Sequence, residues 1–443
     1  MMKSVLSSVR KKVSLHAFAL MCSASIGMNA TAQQSDTIAI MDGLVHTVTG
    51  SVIEQGDVII RNGKIISIGA NLAAPEGAEI IDATGYYVTP GFISPYSSIG
   101  LVEIGAVSQT NDSSPERDFD LGPALNAADA YNPASTLIPI NRAGGITRAV
   151  SVPSVGGGLI GGEAIMIDLS GHKQSITKQG LARSVQLGLG GTSRAGNTRL
   201  GVWSLMRETL EAAQKYANDP DGYVANVSEG RYTVADLKAL GPVLRGEQTL
   251  LVSINRASDI RNLVRLANNY RLSVVIVGGA EAWREAGMIA AAGIPVILDA
   301  MANLPEQFET LSASMRNAAL LHQAGVSIGF YNPQGFGAHN LRLLPHQAGN
   351  AVANGLPYDA ALKSLTLSPA AMFGLEGELG TLEVGKRGDV VVWDGDPLEL
   401  ATRPVAVVID GANQSLENRQ QKLRDRYRNL ERGELPFAYR GGQ

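Results

Sequence analysis

Between about Pro90 and Leu379 the chain repeats one pattern: a short apolar, β-branched run followed by an amphipathic helical stretch. The apolar runs are Gly145–Val152, Leu250–Ile254, Ser273–Val277, Ile294–Leu298 and Val326–Phe330. Apolar residues recur at helical spacing over Asp259–Tyr270, Ala280–Ala292 and Gln307–Ala324. A strand that is apolar along its whole length is buried on both faces, and the intervening helices supply the cover. The segment therefore predicts a parallel sheet wrapped in helices. Its length, about 290 residues, suits an α/β fold of the (β/α)8 TIM type with insertions. An open doubly wound sheet fits the same periodicity, which does not choose between the two.

The flanks of this segment read differently. From Thr37 to Val88 short β-like runs are broken by turns: Thr37–Met41, Asp57–Arg61, Ile65–Ile68 and Glu79–Asp82. Asn62-Gly63 between two of them is a hairpin signal, because both residues tolerate positive φ. A matching stretch returns at Gly380, Asp389–Trp393 and Val405–Asp410. Two such segments bracketing the middle predict a small β-sandwich built from both chain ends. The expected parts are residues 33–90 and 380–443 for the sandwich and 91–379 for the barrel. Within the last part, Glu417–Arg432 carries Arg, Lys, Gln and Glu at helical spacing and reads as a solvated surface helix.

Residues 1–32 stand apart. Lys3, Arg10, Lys11 and Lys12 precede a mostly apolar stretch from Val13 to Met28, and Ala30-Thr31-Ala32 forms a small-x-small cleavage site before Gln33. This is the layout of a secretory signal peptide, so the expectation is export to the periplasm or beyond, with cleavage near Ala32. A lipoprotein site at Cys22 fits poorly, since Met21 precedes the cysteine. No later run has the ~20 apolar residues that span a bilayer. Residues 1–32 hold four of the 37 basic residues and none of the 41 acidic ones, which leaves a net charge of −8 on the remainder. An acidic chain argues against a nucleic-acid partner. Cys22 is the only cysteine, so the exported part has no disulfide, thiol nucleophile or thiolate ligand.

Four stretches together resemble the metal-dependent amidohydrolases, in particular the branch related to imidazolonepropionase. VIIRNGKIISIG (58–69) is similar to that family's N-terminal hairpin, and IIDATGYYVTPGFIS (80–94) to its entry into the first barrel strand. AGGITRAVSVPSVGGGLIGGEAIMIDLSG (143–171) is similar to strands two and three, and LTLSPAAMFGLEGELGTLEVGKRGDVVVWDGDP (365–397) to the closing segment. The resemblance implies a barrel plus a sandwich from both ends. It also implies hydrolysis of a non-peptide carbon–nitrogen bond with zinc or another divalent metal, which activates water and polarises a carbonyl. In that family the ligands are a His-x-His pair on strand one, a carboxylated Lys on strand four, His on strands five and six, and Asp on strand eight.

Here every one of those positions is replaced. Tyr96 and Ser98 stand for the His-x-His pair, Ser184 for the Lys, Ser253 and Gly278 for the two His, and Tyr331 or Asn332 for the Asp. Zinc wants Cys, His or carboxylate donors. The sequence therefore predicts no cofactor and a site no longer used for metal. A relocated metal site drawing on His339, His346 and a nearby carboxylate stays open.

The other motifs carry weaker signals. His16 leaves with the signal segment, and His46, His172 and His322 are unpaired in sequence. Gly156–Gly161 fits G-x-G-x-x-G, but Glu163–Leu169 reads as a strand where a dinucleotide site needs a helix. The loop is expected to be a tightly turned rim segment offering backbone N–H groups. Ser175-x-x-Lys178 fits an acyl-transfer spacing without its companion motifs. Asn255, Arg256 and Glu281 fall at strand ends, where they could bind a ligand or brace a helix N-terminus. Asp299 after strand seven is the one acidic residue at a strand end placed to act as a base. Two readings follow: a hydrolase with a changed mechanism, or a catalytically inactive member that binds a small molecule or an active amidohydrolase subunit.

Overall fold

Side chains alternate across a strand, so the β-branched runs of the middle segment can bury both faces at once. In the computed structural model they do. The structure describes residues 36–428, apart from 117, 120, 227–231, 303 and 334–336. The expected export signal lies outside the described residues. Strands β6 (Phe92–Ser97), β7 (Ile146–Ser151), β8 (Ile160–Asp168), β9 (Ile176–Gln186), β10 (Thr249–Ile254), β11 (Val274–Gly278), β12 (Val296–Leu298) and β13 (Ile328–Phe330) form one eight-stranded sheet in sequence order. The sheet curls into a nearly closed barrel. A Cβ on Gly329 of β13 would stand 3.4 Å from Pro95 Cγ of β6.

Inside, Ile93, Val150, Met166, Ala182, Leu251, Val275 and Ile297 form one buried cluster, capped by Met372 and Leu379. The outward residues of the same strands pack under helices such as Ala257–Tyr270, which buries Ile260, Leu263 and Val264. The alternative of an open doubly wound sheet is excluded by this curl. One strand departs from the regular repeat: β8 runs antiparallel to both neighbours. Its connections, residues 152–159 and 169–175, are too short for the crossover of a dozen or more residues that a parallel neighbour requires.

Two expected helices are also corrected. Over Gln307–Ala324 only Asn317–Gln323 is helical. Upstream, Thr310 Oγ1 bonds both the N–H and the carbonyl of Gln307 at 3.2 and 3.1 Å, and Ser314 Oγ accepts from Arg316 N at 3.2 Å. Hydroxyl side chains there offer the backbone a partner that competes with the helix. Ala280–Ala292 divides into a tight turn, Ala282–Glu285, and a short helix, Ala286–Ala291.

The second sheet joins the two chain ends. Strands β1 (Thr37–Val45), β2 (Ile53–Arg61), β3 (Lys64–Ala70), β4 (Glu79–Asp82) and β5 (Tyr87–Pro90) come from the N-terminal segment. Strands β14 (Val390–Trp393), β15 (Pro404–Ile409) and β16 (Ala412–Asn413) come from the C-terminal one. The order is β16-β15-β14-β5-β1-β2-β3, with β4 also on β1. Asp42, at φ +62, lies where the β1–β2 register shifts, between the stretch of β1 that pairs with β4 and the one that pairs with β5.

Three contacts lock this sheet to the barrel. Trp393, 2% exposed, donates its indole N–H to Thr89 Oγ1 at 2.9 Å and lies 5.0 Å from the Phe92 ring. Gly145 (φ +85) meets that indole closely, and any Cβ there would collide with it. Arg148 on β7 is fully buried and holds Asp389 at 2.6 Å and Asp410 at 2.8 Å.

Candidate functional site

The C-terminal strand ends of the barrel surround a cavity of about 280 Å³. β6 delivers Tyr96, the residue just past it is Ser98, and the chain after β13 delivers Tyr331 and Asn332. A polar loop brings Asn111, Ser113 and Ser114, and the connection after β7 brings Ser154. The Tyr96 and Tyr331 rings meet edge to face at 5.9 Å and 86°, the arrangement aromatic quadrupoles favour. The loop wall is internally tied: Asn111 Oδ1 accepts from Ser113 N and Oγ at 3.2 and 2.7 Å, and Ser154 N donates to Ser113 O at 2.6 Å.

Of the positions that correspond to metal ligands, Tyr96, Ser98, Tyr331 and Asn332 line this cavity, and the chemistry of the set can be tested against a divalent ion. Tyr96 shares a hydrogen bond with the Ser253 side chain, and burial pushes its phenol up. Burial first, then the charge of Asp299 and the neighbouring Tyr96, push the Tyr331 phenol up. Both phenols therefore favour the protonated form, which is a poor ligand. Ser184 Oγ is committed to Pro153 O at 2.5 Å. Gly278 offers no donor, and Asn255 Oδ1 stands 2.6 Å from where its Cβ would be. Among the described residues no three of His, Cys, Asp and Glu converge as a metal group. The donor set does not fit the ion that the fold family implies.

The relocated metal site is not assembled either. His339 bonds the Glu103 carbonyl at 3.0 Å, while His346 lines a separate depression with Asn350, Tyr358 and Asp396. His46 stacks on Tyr87 at 5.5 Å, and burial lowers its pKa. His172 and His322 are exposed. Ser175 pairs with the Tyr131 hydroxyl at 2.8 Å while Lys178 faces solvent, so they form no dyad. Strand β8 follows the glycine loop directly, where a nucleotide fold would place a helix, and Gly157 and Gly158 line a second cavity of about 250 Å³.

Of the residues expected at the rim, Asn255, Arg256 and Glu281 do not line the mouth cavity. Glu281, 5% exposed, accepts Ala257 N at 3.0 Å and Ser312 N at 2.9 Å, and so braces the start of helix Ala257–Tyr270. Asn255 accepts Ala280 N at 3.3 Å and donates to Glu309 at 3.1 Å. Arg256 is exposed at the cap position of the same helix. Asp299 ends β12 beside Tyr331. It accepts Met301 N at 2.9 Å and bonds Gln347, and burial raises its carboxyl.

Two features escaped sequence reasoning. The wall of Asn111, Ser113 and Ser114 has no periodicity, and its Asn-Asp-Ser-Ser run signals only a loop. Glu309, 6% exposed, gathers Leu189 N at 2.8 Å, Arg199 at 3.2 Å and Asn255. In sequence it is one more acidic residue in what reads as an amphipathic helix.

Comparison with known proteins places these features. A model described as "Amidohydrolase family" matches residues 336–413. The amidohydrolase tasK of Hapsidospora irregularis is 26% identical over 398 residues, covering 81% of this chain but only 40% of that protein. This chain thus spans less than half the length of that relative. An imidazolonepropionase of Mesorhizobium japonicum is 24% identical over 388 residues, covering 80% of this chain and 90% of its own length. The crystal structure of an amidohydrolase from Thermotoga maritima superposes with a TM-score of 0.75 at 28% identity, over 85% of this chain and 99% of that one.

Proposed function

We propose that this chain, which belongs to the amidohydrolase superfamily, keeps the binding cavity of its fold and has given up metal-dependent hydrolysis. One observation carries the reading. The six replaced positions present hydroxyls, an amide and a glycine, and the Tyr96 and Ser184 hydroxyls are hydrogen-bonded within the protein. Nitrogen and carboxylate donors hold zinc, whereas neutral hydroxyls do not. The walls remain built around an open cavity, which supports binding of a small molecule without turnover.

Three further expectations belong to this reading. The pattern in residues 1–32 supports a periplasmic or secreted location. The acidic balance speaks against a nucleic-acid partner, and no helix among the described residues is long and apolar enough to cross a membrane. An active amidohydrolase subunit is the protein partner that a member of this superfamily without its metal site would serve.

The test is metal content. The full chain, purified without chelator and dialysed against zinc, should retain less than about a tenth of an equivalent at the mouth. Stoichiometric zinc whose loss follows Tyr96→Phe and Asn332→Ala would overturn the reading. A second reading draws on Asp299, whose raised carboxyl beside the cavity suits a general base. It requires chelator-insensitive hydrolysis of a carbon–nitrogen bond that Asp299→Asn abolishes.

A further inference from the structure

We infer that the mouth cavity recognises an uncharged, hydroxyl-bearing ring of about monosaccharide size, with the Tyr331 phenol as a recognition donor. The inference rests on the reading of the mouth as a metal-free binding site and adds the ligand's chemistry to it.

The lining argues first. Nine of its thirteen residues are neutral and polar, and the other four are Val102, Val152, Pro333 and Gly337. No charged side chain lines it among the described residues. A charged ligand would leave water without a counter-ion, and burying an unpaired charge is far costlier than burying a hydrogen-bonded polar group. The Asp299 carboxylate, whose charge reaches the Tyr331 phenol, is already bonded to Met301 N and Gln347. Its field would repel an anion in the cavity.

The second argument is Tyr331 itself. Most of its surface is covered, yet its hydroxyl has no hydrogen-bond partner among the described residues. Its surroundings keep it protonated, so it is a donor. That hydroxyl opens on the cavity, where it bonds water when the site is empty, and a ligand oxygen placed there takes over the donor. Hydroxyls and amides combine donor and acceptor capacity; the Asn111 Oδ1 and the Ser97 and Ser113 hydroxyls are bonded within the protein, which leaves the Ser154 hydroxyl and the Asn111 amide N–H groups for a ligand. That matches a ligand whose own groups both give and take hydrogen bonds, as alcohols do. A cavity of about 280 Å³ accommodates one such ring.

Isothermal titration of the full chain tests this, with methyl glucoside and myo-inositol as neutral probes and glucuronate as the anionic one. At least one neutral polyol should bind about tenfold more tightly than glucuronate. Tyr331→Phe should weaken that binding about tenfold while leaving Tm unchanged, and Ser154→Ala should weaken it as an independent check. Glucuronate binding as tightly as the neutral probes overturns the inference. So does no neutral binding below about 10 mM, or full affinity in Tyr331→Phe. Zinc measured in the same sample separates the two claims. Metal at the mouth sinks the underlying reading, whereas a metal-free protein that binds no polyol sinks this inference alone.

Discussion

Arg148 shows how much one side chain can hold. Its guanidinium lies with no solvent exposure between Asp389 and Asp410, and Asp410 N adds a 2.9 Å bond to Asp389 Oδ1. Removing one member strands buried charge, so Arg148→Met should destabilise the fold by about 3–5 kcal/mol, read by urea unfolding. The double carboxylate variant Asp389→Asn with Asp410→Asn, combined with Arg148→Met, should recover part of that loss. The pH dependence has a definite sign. Burial alone would raise the Asp410 carboxyl, but Arg148 and Arg387 outweigh it and hold it below the usual 3.8. A carboxylate with a depressed folded pKa stabilises above its unfolded value and loses that contribution as pH falls through the folded one. Stability should therefore drop below about pH 4, and Asp410→Asn should flatten that acid limb. The mouth yields a prediction of the same scale. Tyr96→His with Ser98→His restores two nitrogens only, while Ser184, Ser253, Gly278 and Asn332 remain. Zinc affinity measured by competition with a chromogenic chelator should stay unmeasured above background, since a structural or catalytic zinc wants three or four good donors.

Helix Ala257–Tyr270 lacks a side-chain cap of its own, and Glu281 from beyond β11 supplies one. Glu281→Ala should cost about 1–2 kcal/mol, because it frees the Ala257 N–H and the Ser312 N–H together. Glu281→Gln should cost less, since it keeps an acceptor, and the difference is measurable by thermal unfolding. This element also marks where the sequence was informative. The strands were legible because Val, Ile and Leu fill both faces, as in Leu250–Ile254 and Ser273–Val277, and helix Asp259–Tyr270 because its apolar residues share one stripe. Gln307–Arg316 was not, since its apolar spacing suits a helix while the Thr310 and Ser314 hydroxyls bond the backbone and Ser312 N donates to Glu281 instead. The same limit governs the site. Tyr96, Ser98, Ser253 and Asn332 could be placed by register along strands. The rim roles of Asn255 and Glu281 turned on which backbone N–H faced them, and the wall of Asn111, Ser113 and Ser114 depended on where an aperiodic loop folds back. The antiparallel run of β8 was encoded only in the shortness of its connections.

At the scale of the whole molecule, the barrel depends on a sheet whose strands come from both ends of the chain. β14 pairs antiparallel with β5, Val390 opposite Pro90 and Trp393 opposite Tyr87, and β5 leads directly into β6 of the barrel. Asp389, one residue before β14, carries the ion pair to β7, and Arg142 reaches the Ser415 carbonyl at 3.1 Å. These contacts join residues more than two hundred positions apart, so they form only when the whole chain has collapsed. Removing residues 388–443 strips β5 of its antiparallel partner β14, leaves Arg148 without Asp389 and Asp410, and uncovers Phe92 where Trp393 had lain. Hydrophobic cover and charge compensation are lost at the same seam, and each loss alone is large against a total stability of about 5–15 kcal/mol. The intact chain should unfold in one calorimetric transition. The shortened chain should show no cooperative melt and no near-ultraviolet circular dichroism from its remaining tyrosines and tryptophans. If it instead melted sharply, the barrel would be a self-sufficient unit and the seam an ornament on it.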